Sequence, residues 1–477
     1  MTRRFGLKIQ FIVPPSNLRE RYGDLLEAGA VYPSMGIAYL AAVAEQSGHQ
    51  VDVIDAEADL LGFDDIRDRI RSFQPQVIGM QTFCANLRRC YTIADLAKSI
   101  DPSIRVVLGG VQATLFVDAQ FEQPSIDFVV VGEGEYTLRE LLTVIDAPHA
   151  YAGVTGLAYR DADGRIVTNP PRPLIRNLDE LPFPALHLFP MERYHSSSQL
   201  RGSRTLHILT SRGCPYQCSY CSGDLIFGRT FRFRTASKVI EDIRRLVFDF
   251  GADSIQFYDE SFTVNRKRVF ELCDALDASG LNLPWACFTR VDLVDREILM
   301  RMRDSGCYQI FFGVETGVPR LLEIIRKGTT LDQARAAFKL TRELGIETVA
   351  SFMLTLPTET IEETWESIRF GIELDPDYIY WLTFVPYPGN DLAEMAKKSG
   401  SVINNDPTTY NVFNEIVYVP EGRDADEIRR TVAIAYRRFY LRPRYILRQL
   451  IKITRLPPMK AWNLIKGGLR TFLKSKV

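Results

Sequence analysis

The chain has 477 residues, 46% of them hydrophobic and 25% charged, with a formal net charge of -1. At roughly 150 residues per domain, this length predicts two or three domains, and the balanced charge carries no information about partners. No stretch reaches the roughly 18 uninterrupted apolar residues of a spanning helix, and the start, MTRRFGLKIQFIVPP, lacks the apolar core and small-residue cleavage site of a secretory signal, so a cytoplasmic protein is expected.

From residue 7 to about 146, short β-branched runs alternate with helical periods. LKIQFIVPP, VDVIDAE, QVIGMQTF, RVVLGGVQ and DFVVVGEGE read as five strands, with helices around 36–47, 63–73 and 87–99 and a last helix after the fifth strand. This predicts a doubly wound, flavodoxin-like α/β domain over 1–148, with ligands at the carboxyl ends of its strands. Residues 149–202 are rich in Pro, Gly and turn residues (DADGR, TNPPRPL, LPFPALHLFP) and predict a small hairpin followed by an extended linker.

A second alternation fills 203–395: HILTSRGC, SIQFYDESF, PWACFTRVD, YQIFFGVET, ETVASFMLTL and DYIYWLTFVPYPGN as strands, with five intervening helices. Six such units predict a partial (β/α)6 barrel with its chemistry at the strand carboxyl ends. Residues 396–477 are expected to form a helical, basic C-terminal region, in which Arg437 to Val477 carries twelve Lys or Arg and no Asp or Glu. Aromatic and aliphatic residues are interleaved with that charge, so the tail suits an amphipathic helix on a membrane face or over an anionic substrate; a solvated helical tail is the plainer reading.

Eight cysteines, three of them packed within 214–221, do not make the evenly paired framework of a secreted protein and point to metal ligation in a reducing compartment. Cys214, Cys218 and Cys221 form a C-x3-C-x2-C run just after the first barrel strand. Three thiolates leave one iron of a [4Fe-4S] cluster open to the amino and carboxylate groups of S-adenosylmethionine, whereas a zinc site wants a fourth near ligand, and His207 lies back on the strand. Cys84, Cys90, Cys273, Cys287 and Cys307 lack partner spacing and read as buried apolar side chains.

The cysteine spacing, with Tyr220 before the last Cys, resembles the radical S-adenosylmethionine superfamily, and the resemblance runs over 203–390. It implies that YDESF, with Asp259, Glu260 and Ser261, meets the methionine amino group, that Glu315 in FGVETG contacts the ribose, and that Leu356 and Pro357 in FMLTLPTET lie near the adenine. Arg290 in TRVD is assigned to the S-adenosylmethionine carboxylate. Glu315 reads equally well as a structural carboxylate.

The first domain resembles the cobalamin-binding domain of cobalamin-dependent radical enzymes, the family of the anaerobic magnesium-protoporphyrin monomethyl ester cyclase and of radical methylases. The matching positions are Gly36, Thr82, Gly109, Gly110, Val111, Gln112, Glu133, Gly134 and Glu135, which the resemblance assigns to cobalamin; the glycines alone also read as turns. The D-x-H-x-x-G signature is absent, His49 is the sole His before residue 149, and Gln112 stands where many relatives carry His, so no protein imidazole is expected on cobalt.

The family resemblance implies a radical enzyme that cleaves S-adenosylmethionine to a 5′-deoxyadenosyl radical and, with cobalamin, methylates an unactivated carbon of a small-molecule or lipid-like substrate. Oxidation, cyclisation or ring rearrangement without methyl transfer is the alternative, and a non-catalytic cobalamin or redox sensor a third. The expected partners are the substrate, a reductase or flavodoxin-type electron donor and a membrane surface met by the basic tail. No RNA-binding module follows the barrel, so nucleic acid is not expected.

Overall fold

The computed structural model describes residues 6–16, 29–197, 199–412, 415–453 and 462. Most of the basic tail lies outside these residues. Alternation of apolar side chains builds the first sheet, from β1 (Lys8–Val13), β2 (Gln50–Asp55), β3 (Val77–Gln81), β4 (Arg105–Gly109) and β5 (Phe128–Val130), all parallel. Ile9 and Phe11 face α1 (Met35–Gln46), while Ile12 and Ile78 face α2 (Phe63–Phe73) and α3 (Leu87–Ile100) on the other side. Two short helices, α4 (Val111–Leu115) and α5 (Val117–Gln120), follow β4, and α6 (Glu135–Val144) follows β5 and packs beside α1.

The DADGR hairpin, β6 (Leu157–Arg160) and β7 (Ile166–Thr168), is no isolated element: it extends the first sheet antiparallel to β5, giving the order β2-β1-β3-β4-β5-β6-β7. Asp161 closes its turn by accepting the Asp163 and Arg165 N–H groups.

The second sheet has the order β15-β14-β13-β12-β11-β8 and is parallel throughout. β8 (Thr205–Ile208) leads through β9 (Ser211–Arg212), the cysteine loop, α7 (Asp224–Phe227) and β10 (Arg232–Phe233) to α8 (Ala236–Phe248). Then come β11 (Ser254–Phe257), α9 (Arg266–Ser279), β12 (Trp285–Thr289), α10 (Arg296–Asp304), β13 (Cys307–Glu315), α11 (Pro319–Ile324) and α12 (Leu331–Leu344). β14 (Glu347–Leu354), α13 (Ile361–Leu374) and β15 (Tyr378–Thr383) complete the open barrel. Thr235, Asn265, Asp295, Thr330 and Thr360 each accept an N–H of the first turn of the helix they precede, which is why these helices start where they do.

α14 (Asp391–Ala396) and the β16–β17 pair (Gly400–Val402, Tyr418–Pro420) precede α15 (Ala425–Tyr440) and α16 (Pro443–Ile453). An open barrel leaves β15 with an unpaired edge, and α15 covers it with tyrosines. Tyr436 Oη accepts the Trp381 N–H at 3.1 Å and Tyr440 Oη accepts the Ile379 N–H at 3.1 Å, while the same hydroxyls reach the Trp381 and Ile379 carbonyls.

Candidate active site

β9 ends in Arg212, and Gly213 turns the chain into the cysteine loop with φ +85°; a Cβ there would fall 2.3 Å from the Thr230 carbonyl oxygen, so only glycine fits. Cys214 and Cys218 are half-buried and Cys221 is exposed. The loop is strapped to α11: Ser219 donates its N–H to the Ile325 carbonyl and its hydroxyl to the Ile324 carbonyl, and Asn390 Nδ2 donates to the Tyr220 carbonyl. Gly223 N–H donates to Cys221 Sγ at 3.3 Å, and the Arg290 guanidinium approaches Cys218 Sγ at 3.8 Å. Although Cys221 is exposed as a residue, the protein around its sulfur shields the thiolate from water and pushes the thiol up to about 11, so in the bare protein it holds its proton. Three sulfurs in one loop, one receiving a backbone N–H and one a guanidinium, suit an anionic iron-sulfur cluster, which lowers thiol pKa on binding. Cys90, Cys273, Cys287 and Cys307 are buried away from this loop.

The four residues expected to hold the methionine end diverge. Asp259 turns back into the sheet, accepting the Thr210 N–H at 2.7 Å, the Ser211 N–H at 3.1 Å and the Arg268 guanidinium at 3.2 Å, so its carboxylate braces the strand before the cysteines and is not free for an amino group. Ser261 is buried against the Thr289 hydroxyl. Glu260 faces the cysteine loop, where a Cβ on Gly223 would lie 3.2 Å from its Oε1; the residue is exposed, but partial desolvation of its carboxyl by the surrounding loop, then the neighbouring Asp259, pushes it up to about 7. Arg290 is fixed by both oxygens of Asp292 at 2.9 and 3.0 Å and by the Lys327 carbonyl at 2.7 Å, and lies over the Tyr216 ring.

Glu315 ends β13 at a register shift with φ +72°, a costly conformation for a residue with a Cβ. Its Oε1 accepts from Lys327 Nζ at 2.7 Å and from the Tyr220 hydroxyl at 3.0 Å. Leu356, expected near the adenine, is a core residue packed with Tyr220, Phe384 and Tyr418, and its N–H is held by Glu359; Pro357 is also buried. No sequence pattern marks Lys327, a lone Lys in RKGTT.

Across the sheet, the helices seal the outer face: Ile310, Phe312, Ala350 and Phe352 are fully buried. The inner face is half open and aromatic. Tyr258 is 51% exposed, and its ring meets Phe288 at 5.1 Å, which meets Phe311 at 5.0 Å, which stacks on Tyr380 at 5.9 Å.

At the carboxyl ends of the first sheet, the Thr82 hydroxyl donates to the Gly109 carbonyl and accepts the Ala113 N–H, tying β3 to β4. Gly110 has φ +95°, and a Cβ there would fall 2.8 Å from the Thr82 carbonyl oxygen. Gly36 lies against the Gln81 side chain, and Val111 opens α4. The buried Gln112 accepts a hydrogen bond from the Cys84 thiol at 3.0 Å. His49 stands at the opposite, amino end of β2, where its Nδ1 accepts the Leu7 N–H, so it is no cobalt ligand. The glycine turns and the amide-bearing floor fit a large planar ligand approached by backbone.

Glu133 and Glu135 depart from the expectation that they bind cobalamin. Glu133 accepts from Arg212 Nη1 and Arg232 Nη1, both at 2.9 Å, and from the Ile175 N–H at 2.7 Å, and Glu135 pairs with Arg212 Nη2. Gly134 caps α6 between them. Both carboxylates are spent on arginines of the second unit, partners 79, 99 and 77 residues away in sequence.

Residues 23–142 match the B12 binding domain and 208–371 the Radical SAM superfamily. The chain is 33% identical over 447 residues to the uncharacterized methyltransferase PH0819 of Pyrococcus horikoshii, covering 94% of this chain and 95% of that protein. It is 30% identical over 456 residues to the anaerobic magnesium-protoporphyrin IX monomethyl ester cyclase of Rubrivivax gelatinosus, covering 94% and 80%. The fold is similar to that of the radical S-adenosylmethionine methyltransferase TsrM from Kitasatospora setae, with a TM-score of 0.66 at 20% identity over 82% of this chain and 76% of that one. With both domain matches in one chain and relatives aligned over nearly its whole length, the protein belongs to the family of radical S-adenosylmethionine enzymes that carry an amino-terminal B12-binding domain.

Proposed function

We propose that the protein is a cobalamin-dependent radical methyltransferase acting on an unactivated carbon of an apolar small-molecule or lipid-like substrate. The observation that carries this reading is the contact between the two carboxyl-end loops: Glu133, just after β5, is hydrogen-bonded to Arg212, two residues before Cys214. When bound, the cluster, S-adenosylmethionine and cobalamin supply the electron, the 5′-deoxyadenosyl radical and the methyl group.

The chain's own residues bind and orient. Cys214, Cys218 and Cys221 hold the cluster. Glu260 offers a carboxylate to the ammonium of S-adenosylmethionine, Glu315 offers one to the ribose hydroxyls, and Arg290 is the cation for its carboxylate. Gln112, whose side-chain oxygen accepts from the Cys84 thiol, would offer its amide to a bound corrin and is a poor cobalt ligand. The half-open wall of Tyr258, Phe288, Phe311 and Tyr380 supports an apolar substrate, because such rings would shield a bound substrate from water and gain most by covering hydrocarbon. A reductase or flavodoxin-type protein delivers the electron.

α16 supports contact with a membrane surface. Tyr445 is buried and Arg448 pairs with Asp375, while Ile446, Leu447 and Leu450 are exposed, on a helix that the basic sequence of 454–477 follows in the chain. No helix among the described residues is long and apolar enough to cross a membrane.

Methyl transfer separates from ring oxidation or cyclisation by product. Reduced, cofactor-loaded protein given S-adenosylmethionine is expected to form S-adenosylhomocysteine in proportion to bound cobalamin; 5′-deoxyadenosine without any S-adenosylhomocysteine contradicts methyl transfer.

A further inference from the structure

The acids of VGEGE are the least expected feature of the first domain. They sit at the end of β5, where a ligand is to be approached, yet neither carboxylate is available to one. Glu133 binds Arg212, Arg232 and the Ile175 N–H; Glu135 binds Arg212. Arg232 also donates to the Ile175 carbonyl at 2.7 Å and to the Phe227 carbonyl at 2.9 Å. The Arg212 guanidinium lies 5.5 Å from both the Tyr39 and the Phe227 ring centroids. All four charged side chains are at most 8% exposed. Two negative and two positive charges are thus desolvated together and closed on one another.

Such a buried quartet gains little net stability over apolar packing of the same shape, because desolvation of the ions offsets their attraction. What it fixes is direction. Arg212 donates one Nη to each of the two carboxylates, and such a fork holds its partners only in a narrow geometry, unlike an apolar contact, which slides. Arg212 and Arg232 are also register partners in the β9–β10 pair, so the two cations cannot shift independently. Between Arg212 and Cys214 there is one residue, Gly213, against which the Thr230 carbonyl packs so closely that no Cβ would fit. A displacement of Glu133 and Glu135 therefore reaches Cys214 with almost no slack.

We propose that Glu133, Glu135, Arg212 and Arg232 form an inter-domain strut that sets the position of the cobalamin site relative to the cluster loop, as positioning residues rather than ligands of either cofactor. The inference rests on the two-cofactor reading above and deepens it: the methyl donor and the radical source act on one carbon, so their separation has to be fixed by the protein.

The test is the dipolar interaction between the reduced cluster and cob(II)alamin in the loaded enzyme, read by pulsed electron paramagnetic resonance. Wild type is expected to give a narrow distance distribution. Glu135→Gln, which keeps shape but removes a charge, is expected to retain both cofactors and give a shifted or broadened distribution. Arg212→Lys keeps the charge without the fork and is expected to do the same, which covers the case in which Glu135→Gln fails to fold. Narrow, unshifted distributions in the variants that fold, even with a lowered melting temperature, overturn the strut and leave a purely structural ion cluster. Failure of the two-cofactor reading shows instead in the wild type, as protein that keeps its cluster and retains no cobalamin, and overturns the strut with it.

Discussion

The Lys327 ammonium lies 2.7 Å from Glu315 Oε1, and both reach the Tyr220 hydroxyl at 3.0 Å. This trio, with Glu315 and Lys327 buried and Tyr220 partly so, joins the cysteine loop to the strained end of β13, so Lys327 fixes the direction of the one carboxylate proposed for the ribose. Lys327→Met leaves Glu315 without its cation. The affinity of reconstituted protein for S-adenosylmethionine is then expected to fall by roughly tenfold, about 1.4 kcal/mol, in equilibrium dialysis. Unchanged affinity would remove Glu315 and Lys327 from the site.

A pH dependence follows from Glu359. It is buried under α13, accepting the Leu356 N–H at 2.6 Å and the Thr364 hydroxyl at 2.8 Å, and burial raises its carboxyl from 4.5 to about 7. Between these values the folded chain keeps a proton that the unfolded chain has released, so stability falls as pH rises from about 4.5 to 7. Glu359→Gln keeps the acceptor for Leu356 and donates to Thr364, and it does not ionise. Its stability relative to the wild type is expected to climb across that window, by up to a few kcal/mol, in urea titrations. A constant difference contradicts the assignment.

The tyrosine-covered edge of β15 gives a second stability prediction. Tyr436→Phe and Tyr440→Phe each leave a buried backbone N–H without its acceptor, at about 1–3 kcal/mol each. The two sites lie two residues apart on one strand, so the double variant is also expected to protect the β15 amides less from hydrogen exchange. Full protection in the double variant would mean that β15 does not depend on α15.

The architecture was legible in the sequence because it is written locally. Strand and helix periods and the spacing of Cys214, Cys218 and Cys221 each lie within a few residues. What was not legible depends on long-range partners. Asp259 and Glu260 are neighbours in YDESF, and only the fold turns one toward Thr210 and Arg268 and the other toward the cysteine loop. Glu133 and Glu135 sit among ligand-loop glycines, and their arginines lie 77 to 99 residues away. The hairpin at 157–168 is legible as a hairpin, but its place in the first sheet is not, because its pairing with β5 is set by sheet register rather than by its own turn.

The membrane reading turns on three side chains of α16. Leu447→Glu with Leu450→Glu changes exposed positions and leaves Tyr445 and Arg448 in place. Flotation with anionic phosphatidylserine vesicles is expected for wild type and lost in the double variant, with cluster content unchanged. Wild-type protein that ignores the vesicles would end this reading.

The most direct test of the central claim is anaerobic reconstitution with iron, sulfide and hydroxocobalamin, followed by the visible spectrum and an assay for 5′-deoxyadenosine formed from S-adenosylmethionine under dithionite. Cluster absorption, retained cobalamin bands and 5′-deoxyadenosine are predicted, all but the cobalamin lost in Cys218→Ala; protein that assembles no cluster, or forms 5′-deoxyadenosine equally well in Cys218→Ala, would contradict the account.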